Sequence, residues 1–240
     1  MAIRDVDDPV VLITGATGAL GRVVAHRFAR DGARLALAGR DHGRLAELGE
    51  DLGIGSDRWL AVLGELTDAD AAGAIAKATT AHWGRIDVLV HLVGGWAGGT
   101  AVVDLDVDGV RGMLDQHLWT TLNVLQSVVP GMVERGFGRV IAVSSPVAVD
   151  PGKNGASYAI AKAAEEALVR SLAREVSGAG VTANLVIVRA IDVRHARETT
   201  PTAKNASWAT PEEIAEAIVF LASPAAAAVT GARIPLYGRT

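Results

Sequence analysis

Seven short apolar runs, separated by longer segments of helical character, are the strongest constraint on how this chain can fold. Each run is apolar at both odd and even positions, as expected of a strand whose two faces are covered. Strands of this kind alternating with helices predict a parallel sheet between two helical layers. The predicted strands are Val10 to Thr14, Arg34 to Ala38, Trp59 to Leu63, Ile86 to Val93, Arg139 to Ser144, Val181 to Val188 and Ala232 to Leu236.

The helical segments complete an α/β fold, a single doubly wound Rossmann-type domain with a seven-stranded parallel sheet, predicted over residues 1–240. A helix start is indicated at Thr210, where a capping residue precedes Pro211 and two glutamates. The long, charged connection from residue 189 to 209 predicts a substrate lid. The predicted helices are Ala19 to Arg30, Arg44 to Leu52, Asp68 to His82, Asp106 to Arg135, Ser157 to Ser177 and Pro211 to Ala222.

Composition excludes several classes of partner. The chain is 50% hydrophobic and 21% charged with a net charge of −4, so it lacks the basic surplus of a nucleic-acid-binding protein. It contains no cysteine, which excludes disulfides, thiolate catalysis and Cys-ligated metals, and we expect no metal site. No apolar run reaches membrane-spanning length, and the first residues lack a signal-peptide pattern. We therefore expect a cytoplasmic protein that acts on a small molecule.

A glycine-rich turn follows the first strand, in Thr14-Gly15-Ala16-Thr17-Gly18-Ala19-Leu20-Gly21. Glycines at this spacing let the backbone approach a pyrophosphate, and the N-terminus of the next helix attracts its charge. A glycine-rich turn without a ligand is the alternative, but the strand before it and the helix after it favour a dinucleotide. The predicted contacts in this turn are Gly15, Thr17, Gly18, Ala19 and Leu20.

The end of the second strand carries no carboxylate. An NAD-binding site usually has an acid there for the ribose 2′-hydroxyl, whereas this chain has Gly39 followed by Arg40. A guanidinium suits a 2′-phosphate, so we predict that NADP(H) is preferred over NAD(H). A solvated surface arginine is the alternative interpretation of Arg40.

Ser145 ends the fifth strand, and Tyr158 and Lys162 lie four residues apart in the following helix, on one face. A lysine ammonium beside a phenol favours the phenolate, so we expect the pKa of Tyr158 to be lowered. Tyr158 is thereby predicted to be a general acid and base. The alternative is an ordinary amphipathic helix face.

The glycine-rich turn, a Ser thirteen residues before a Tyr, and a Lys four residues after it resemble the short-chain dehydrogenase/reductase family over essentially the whole chain. The resemblance implies hydride transfer between a nicotinamide cofactor and a carbonyl or alcohol. It implies that Tyr158 protonates the carbonyl oxygen, that Ser145 holds this oxygen and that Lys162 binds the nicotinamide ribose. It also implies a homo-oligomer, a dimer or a tetramer. Further cofactor contacts are expected at Glu65, Leu66, Val93, Gly94, Gly95, Tyr158, Lys162, Val188 and Ile191.

Several positions depart from the family pattern. The usual Asn-Asn-Ala-Gly after the fourth strand is here His91-Leu92-Val93-Gly94, and the Asp after the third strand is Glu65. The Pro-Gly that follows the sixth strand is replaced by Val188-Arg189. The helical Asn of the proton relay aligns with His117, which can replace it as a catalytic residue because imidazole donates and accepts hydrogen bonds. A satisfied core histidine is the equal alternative.

A second, local resemblance is to the dihydropteridine reductases, an unusual branch of the family. It rests on Gly18-Ala19-Leu20-Gly21 in the first turn, the glycines around Trp96, the stretch His117-Leu118-Trp119-Thr120 and the pair Ser207-Trp208. Because flat aromatic walls suit flat substrates, reduction of a quinone or a quinonoid pterin is an alternative to reduction of a simple carbonyl. A cofactor-binding sensor without catalysis is a third possibility. The predicted substrate contacts are Trp96, Pro146 and Trp208.

Overall fold

The computed structural model describes residues 8–237, which form one parallel sheet of seven strands in the order β3-β2-β1-β4-β5-β6-β7. The predicted α/β class and strand number are confirmed, while the predicted domain of residues 1–240 extends beyond the described residues at both ends. The strands are β1 (Val10–Thr14), β2 (Arg34–Gly39), β3 (Trp59–Leu63), β4 (Val88–His91), β5 (Gly138–Ser144), β6 (Val181–Val188) and β7 (Arg233–Leu236).

Helices cover both faces of the sheet. One core lies between the sheet and α1, α2 and α8, and the second lies between the sheet and α3, α5 and α6. Neighbouring residues of β1 serve different cores, because Val11 faces the first and Leu12 the second. The helices are α1 (Ala19–Arg30), α2 (His42–Asp51), α3 (Ala69–Trp83), α4 (Val107–Leu114), α5 (Thr120–Arg135), α6 (Ala156–Glu175), α7 (Ala196–Thr199) and α8 (Pro211–Ala222).

The strand order reverses between β1 and β4. The chain leaves β1 for β2 and β3 on one side and then returns to add β4 on the other. At this point the carboxyl ends of two neighbouring strands diverge, which is where parallel sheets bind ligands. Thr14 of β1 and His91 of β4 pair at this edge.

Two predicted elements differ most from the observed ones, and the ends of several others differ by one or two residues. The predicted helix from 106 to 135 is divided by a π turn, Asp115–Trp119, between α4 and α5. The predicted strand from 86 to 93 is shortened to Val88–His91. Just before the strand, the Asp87 carboxylate accepts a hydrogen bond from the backbone N–H of Val10. Beyond the strand, Gly94 has a φ of 153°.

The connection from residue 189 to 209 is ordered by its own hydrogen bonds. The Asp192 carboxylate accepts the backbone N–H groups of Ala196 and Arg197, both at 2.8 Å, and Ile191 bridges to Ala209. The Arg197 guanidinium reaches Glu213 of α8 at 2.6 Å. A lid function for this segment stays a prediction. In the part of the chain that the structure describes, no helix has the length and hydropathy needed to cross a membrane.

Candidate active site

Two adjoining cavities open at the carboxyl edge of the sheet, where β1 and β4 separate. The larger, of about 560 Å³, is lined by all four predicted catalytic residues, and the smaller, of about 330 Å³, extends past the end of β2. Predicted site residues on the larger cavity are Gly15, Gly18, Ala19, Leu20, Val93, Gly94, Gly95, Trp96, His117, Ser145, Tyr158, Lys162, Val188 and Ile191. The smaller adds Thr17, Arg40, Glu65 and Leu66.

The glycine-rich turn brings the N-terminus of α1 to both cavities. Gly15 has a φ of 68°, and a Cβ there would lie 3.0 Å from the carbonyl oxygen of Leu92. The N-cap of α1, Gly18, offers no side-chain acceptor, and the first turn of the helix contains no acidic residue. Backbone N–H groups at a helix start need acceptors, so this turn fits the phosphates of a dinucleotide.

Ser145, Tyr158 and Lys162 also line the larger cavity. Ser145 directly follows β5 and is buried, and it lines the larger cavity together with Tyr158 of α6. Lys162, one helical turn after Tyr158, donates from Nζ to the carbonyl oxygen of Val143 at 2.8 Å. The end of β5 therefore anchors both the serine and the lysine that surround the phenol.

The predicted lowering of the Tyr158 pKa is wrong. Burial raises the pKa of Tyr158 and is the largest cause. The charge of Lys162 and the hydrogen bond from Ser145 lower it, whereas the charge of Glu165 raises it. The ammonium acts on the phenol as expected, but burial and a neighbouring carboxylate outweigh it.

Glu165 is a site residue that the sequence reasoning missed. Its Oε2 lies 2.6 Å from Lys162 Nζ, and both side chains are buried. Burial raises the pKa of Glu165 and is the largest cause, while Lys162 lowers it. A carboxylate three residues after a lysine on one helix was the available signal.

His117 stands in the π turn, between Tyr158 and the backbone of Gly95. Its Nε2 donates to the Gly95 carbonyl oxygen at 2.8 Å, and its ring lies 5.5 Å from that of Tyr158. Its buried Nδ1 lies 3.9 Å from Glu165 Oε2 and makes no hydrogen bond with the residues described. Burial, followed by the charge of Lys162, lowers the pKa of His117 to about 4. At neutral pH the ring is uncharged.

The stretch from Gly94 to Gly99 forms a loop that is fastened to the start of α6. Gly99 donates its N–H to the Asn154 carbonyl oxygen at 2.8 Å, and Ser157 Oγ donates to Ala97 at 3.4 Å. Trp96 lines the larger cavity and is 71% exposed. The loop thus holds a large, solvent-exposed indole beside the Tyr158 helix.

His91, which replaces an asparagine of the family pattern, ties β1, β4 and α5 together. Its Nδ1 lies 2.8 Å from Thr14 Oγ1 and its Nε2 lies 3.5 Å from Thr120 Oγ1. Burial, followed by the charges of Lys162 and His117, lowers the pKa of His91 to about 3. A neutral imidazole bridging two hydroxyls is a structural residue at this edge.

Arg40 reaches the smaller cavity as part of an ion pair. Its Nη1 lies 3.2 Å from the Glu65 carboxylate, and the guanidinium side chain is 79% exposed. An anion arriving at Arg40 therefore meets a cation that already has a carboxylate partner.

Two predicted substrate residues do not line either cavity. Pro146 begins a short 3₁₀ turn after Ser145, and the neighbouring Val147 lines the larger cavity instead. Trp208 lies in the 189–209 connection, and its carbonyl oxygen accepts from Arg197. Contacts of Pro146 and Trp208 with substrate stay predictions. From the same connection, Arg189 and Ala190 line the larger cavity, although neither was predicted as a site residue.

Comparison with known proteins agrees with the geometry. A family model described as enoyl-(acyl carrier protein) reductase matches residues 15–238. The (2S)-[(R)-hydroxy(phenyl)methyl]succinyl-CoA dehydrogenase subunit BbsC of Thauera aromatica is 38% identical, with 95% of this chain and 93% of that protein covered. The 3-oxoacyl-[acyl-carrier-protein] reductase FabG of Vibrio harveyi is 29% identical, with 98% of each covered.

Solved structures give the same result. A short-chain type dehydrogenase/reductase from Mycobacterium ulcerans superposes with a TM-score of 0.87 at 25% identity, covering 96% of this chain and 88% of that one. The comparisons do not show the local resemblance to the dihydropteridine reductases. Sequence, fold and site geometry agree that the chain belongs to the short-chain dehydrogenase/reductase family.

Proposed function

We propose that this oxidoreductase is an NADPH-dependent reductase of a carbonyl compound, in which Ser145, Tyr158 and Lys162 form the site that protonates the carbonyl oxygen. One observation carries the proposal. The three side chains share a cavity of about 560 Å³ with the glycine-rich start of α1. A proton donor and a phosphate-binding turn in one cavity suit hydride transfer to a carbonyl.

The cofactor would lie across both cavities. Its phosphates would be held by Gly15, Gly18 and the first turn of α1, and its adenosine end by the smaller cavity near Arg40. When bound, the reduced nicotinamide supplies the hydride. Lys162 would hold the nicotinamide ribose, and Gly94 lets the end of β4 pass close to the cofactor.

The protein supplies the proton and fixes the carbonyl. The Ser145 hydroxyl, which shares the cavity with Tyr158, holds the substrate oxygen next to the phenol. Tyr158 then donates its hydroxyl proton to that oxygen. A positioned proton donor of this kind contributes about a hundred- to ten-thousand-fold in rate.

The preference for NADPH rests on Arg40 and on the missing carboxylate at the end of β2. A 2′-phosphate would displace Glu65 as the partner of Arg40 or share the guanidinium with it. Because a guanidinium binds phosphate through two parallel hydrogen bonds, the exchange favours the phosphorylated cofactor.

The substrate class that we favour is an acyl thioester with an oxo group on its chain. Two relatives are a 3-oxoacyl-[acyl-carrier-protein] reductase and a subunit of (2S)-[(R)-hydroxy(phenyl)methyl]succinyl-CoA dehydrogenase. The cavity suits an acyl chain because Trp96, Val147 and Ile191 give it apolar walls. The exposed ring of Trp96 also favours a flat quinonoid substrate as a second candidate.

We also propose that the chain forms a homo-oligomer in the cytoplasm. Apolar side chains stand exposed in and next to helices α4, α5 and α6, where they can pack against a second copy. These residues are Val102, Val103, Val107, Trp119, Val133 and Ile160. Size measurement by light scattering decides between monomer, dimer and tetramer.

The test combines binding and turnover. The protein is titrated with NADPH and NADH, and turnover is then measured with a 3-oxoacyl thioester, a simple ketone, a quinone and quinonoid dihydropterin. We expect tighter binding of NADPH and reduction of the thioester, and Tyr158→Phe should keep cofactor binding while losing turnover. Tight NADPH binding without turnover of any substrate would instead indicate a sensor. Full ketone reduction by Tyr158→Phe would exclude Tyr158 as the proton donor.

A further inference from the structure

A buried carboxylate stands directly behind the lysine of the site. Glu165 Oε2 is 2.6 Å from Lys162 Nζ, and the two side chains are 1% and 6% exposed. The other carboxylate oxygen, Oε1, lies 3.5 Å from the Thr121 hydroxyl. Glu165 does not line the cavity, so it acts on the reaction only through its neighbours.

This carboxylate opposes what the lysine does to the phenol. An ammonium near Tyr158 favours the phenolate, and an anion near Tyr158 favours the phenol. Because the two charges lie close together and away from water, each offsets much of the field of the other at Tyr158. The titratable and charged groups that face this cluster are Glu166 on α6, His117 in the π turn and His91 on β4.

The two histidines do not restore the positive charge. Burial keeps His117 and His91 neutral near pH 7, since their pKa values are lowered to about 4 and about 3. Glu166 is bound to Arg233 of β7 at 2.6 Å, so its charge has a partner of its own. Lys162 and Glu165 are therefore the charges that dominate the surroundings of the phenol.

We propose that Glu165 is a positioning residue that compensates the charge of Lys162, keeps Tyr158 protonated, and so suits the site to carbonyl reduction rather than to alcohol oxidation near neutral pH. This inference rests on the proposed function. The raised pKa of Tyr158, to which the Glu165 charge contributes, supports it.

The two directions need opposite forms of Tyr158. In reduction, a hydride from the reduced nicotinamide forms the new C–H bond, the carbonyl π pair moves to oxygen, and that oxygen takes the proton from the Tyr158 O–H bond. In oxidation, the phenolate takes the proton of the alcohol while the hydride leaves for the oxidised nicotinamide. A protonated phenol can therefore take part only in the reduction.

The decisive measurement is a titration of tyrosinate absorbance in the cofactor-free protein. The chain has two tyrosines, so Tyr158→Phe gives the contribution of Tyr237, which is subtracted. We expect Glu165→Gln, which keeps the shape but removes the charge, to lower the Tyr158 midpoint by at least about one pH unit, a tenfold rise in the phenolate-to-phenol ratio. The matched control is Glu166→Gln, which removes an equal charge from the same helix and should leave the midpoint in place.

Activity provides the second readout. In Glu165→Gln the alkaline rise of alcohol oxidation should move to lower pH by the same amount as the midpoint. If Glu165→Gln does not fold, Glu165→Asp withdraws the carboxylate by one methylene and should lower the midpoint by a smaller amount. A Tyr158 midpoint that is unchanged in the folded variant would overturn the inference.

The two proposals fail separately. A midpoint that shifts as expected in a protein without turnover supports the role of Glu165 and contradicts the proposed function. Turnover together with an unchanged Tyr158 midpoint in Glu165→Gln supports the proposed function and contradicts the proposed role of Glu165.

Discussion

Gly94 lies against the imidazole of His117 so closely that a Cβ atom on Gly94 would overlap the ring. The φ of Gly94, 153°, adds a conformation that other residues rarely adopt. We expect Gly94→Ala to displace His117 from its bond with Gly95 and to lower kcat/KM by about tenfold or more, since small misplacements in a site are costly. Steady-state kinetics with the preferred substrate measure this loss.

Gly99 provides the matched control for that substitution. Its φ is 104°, and a Cβ there would meet nothing within 4 Å. Gly99→Ala therefore carries only backbone strain, about 1–3 kcal/mol. A similar loss of kcat/KM in both variants would mean that strain in the loop, not contact with His117, explains the effect.

Removal of Glu65 should release Arg40. The exposed pair at 3.2 Å competes with any phosphate that approaches the guanidinium. We expect Glu65→Gln to bind NADPH more tightly relative to NADH, and Arg40→Ala to lose about tenfold or more of NADPH affinity, the value of a charge-assisted hydrogen bond. Kd values for both cofactors, measured by fluorescence, test this. If Arg40→Ala lost more affinity for NADH than for NADPH, this result would contradict the assignment of Arg40 to the 2′-phosphate.

Acid should destabilise the fold through its buried histidines. The pKa of His91 in the folded protein is about 3, below the ordinary value of 6.5. At pH values between these two, the unfolded state binds more protons than the folded state. Stability is complete above pH 6.5 and is lost as pH falls towards 3, by about 1.4 kcal/mol per pH unit for each such group. Urea unfolding at pH 7 and pH 5 should show a smaller loss for His91→Asn than for the parent protein. Exposed His42→Gln is the control, and an equal slope in His91→Asn would disprove the linkage.

The start of α8 should contribute measurably to stability. The Thr210 hydroxyl accepts from the Glu213 N–H, and the Glu213 carboxylate accepts from the Thr210 N–H at 2.9 Å, which forms a capping box. We expect Thr210→Ala to lower the free energy of unfolding by about 1 kcal/mol. Thr67→Ala, at an exposed position, should change it much less. Equal effects in denaturant unfolding would show that the cap contributes nothing.

Most strands could be predicted because burial on both faces leaves a continuous apolar run. β1, β3 and β6 have the predicted ends, and the capping signals at Thr210 and Pro211 give the start of α8. The π turn at 115–119 could not be predicted, since one extra residue in a turn leaves no compositional mark. The end of β4 was misplaced because Leu92 and Val93 continue the apolar run after strand pairing has stopped.

The candidate site was predictable where local spacing fixes position. Tyr158 and Lys162 share a helix face, and Ser145 directly follows a strand, so their convergence follows from the fold. Glu165 could not be predicted as a site residue, because an acid three residues after a lysine is common on exposed helices. Only tertiary packing shows that the Glu165 side chain is buried. The sign of the Tyr158 pKa shift was wrong for the same reason.

The π turn also decides which neighbours one long helix can contact. α4 packs against α6, whereas α5, on nearly the same axis, packs against α3. Each residue of an α-helix advances the side chains by about 100° around the axis, so an inserted residue rotates one half relative to the other by that angle. Deleting one residue between 115 and 119 would restore a regular helix and turn buried Met113 away from its present contacts. The π turn thus carries His117 and holds its ring 5.5 Å from that of Tyr158.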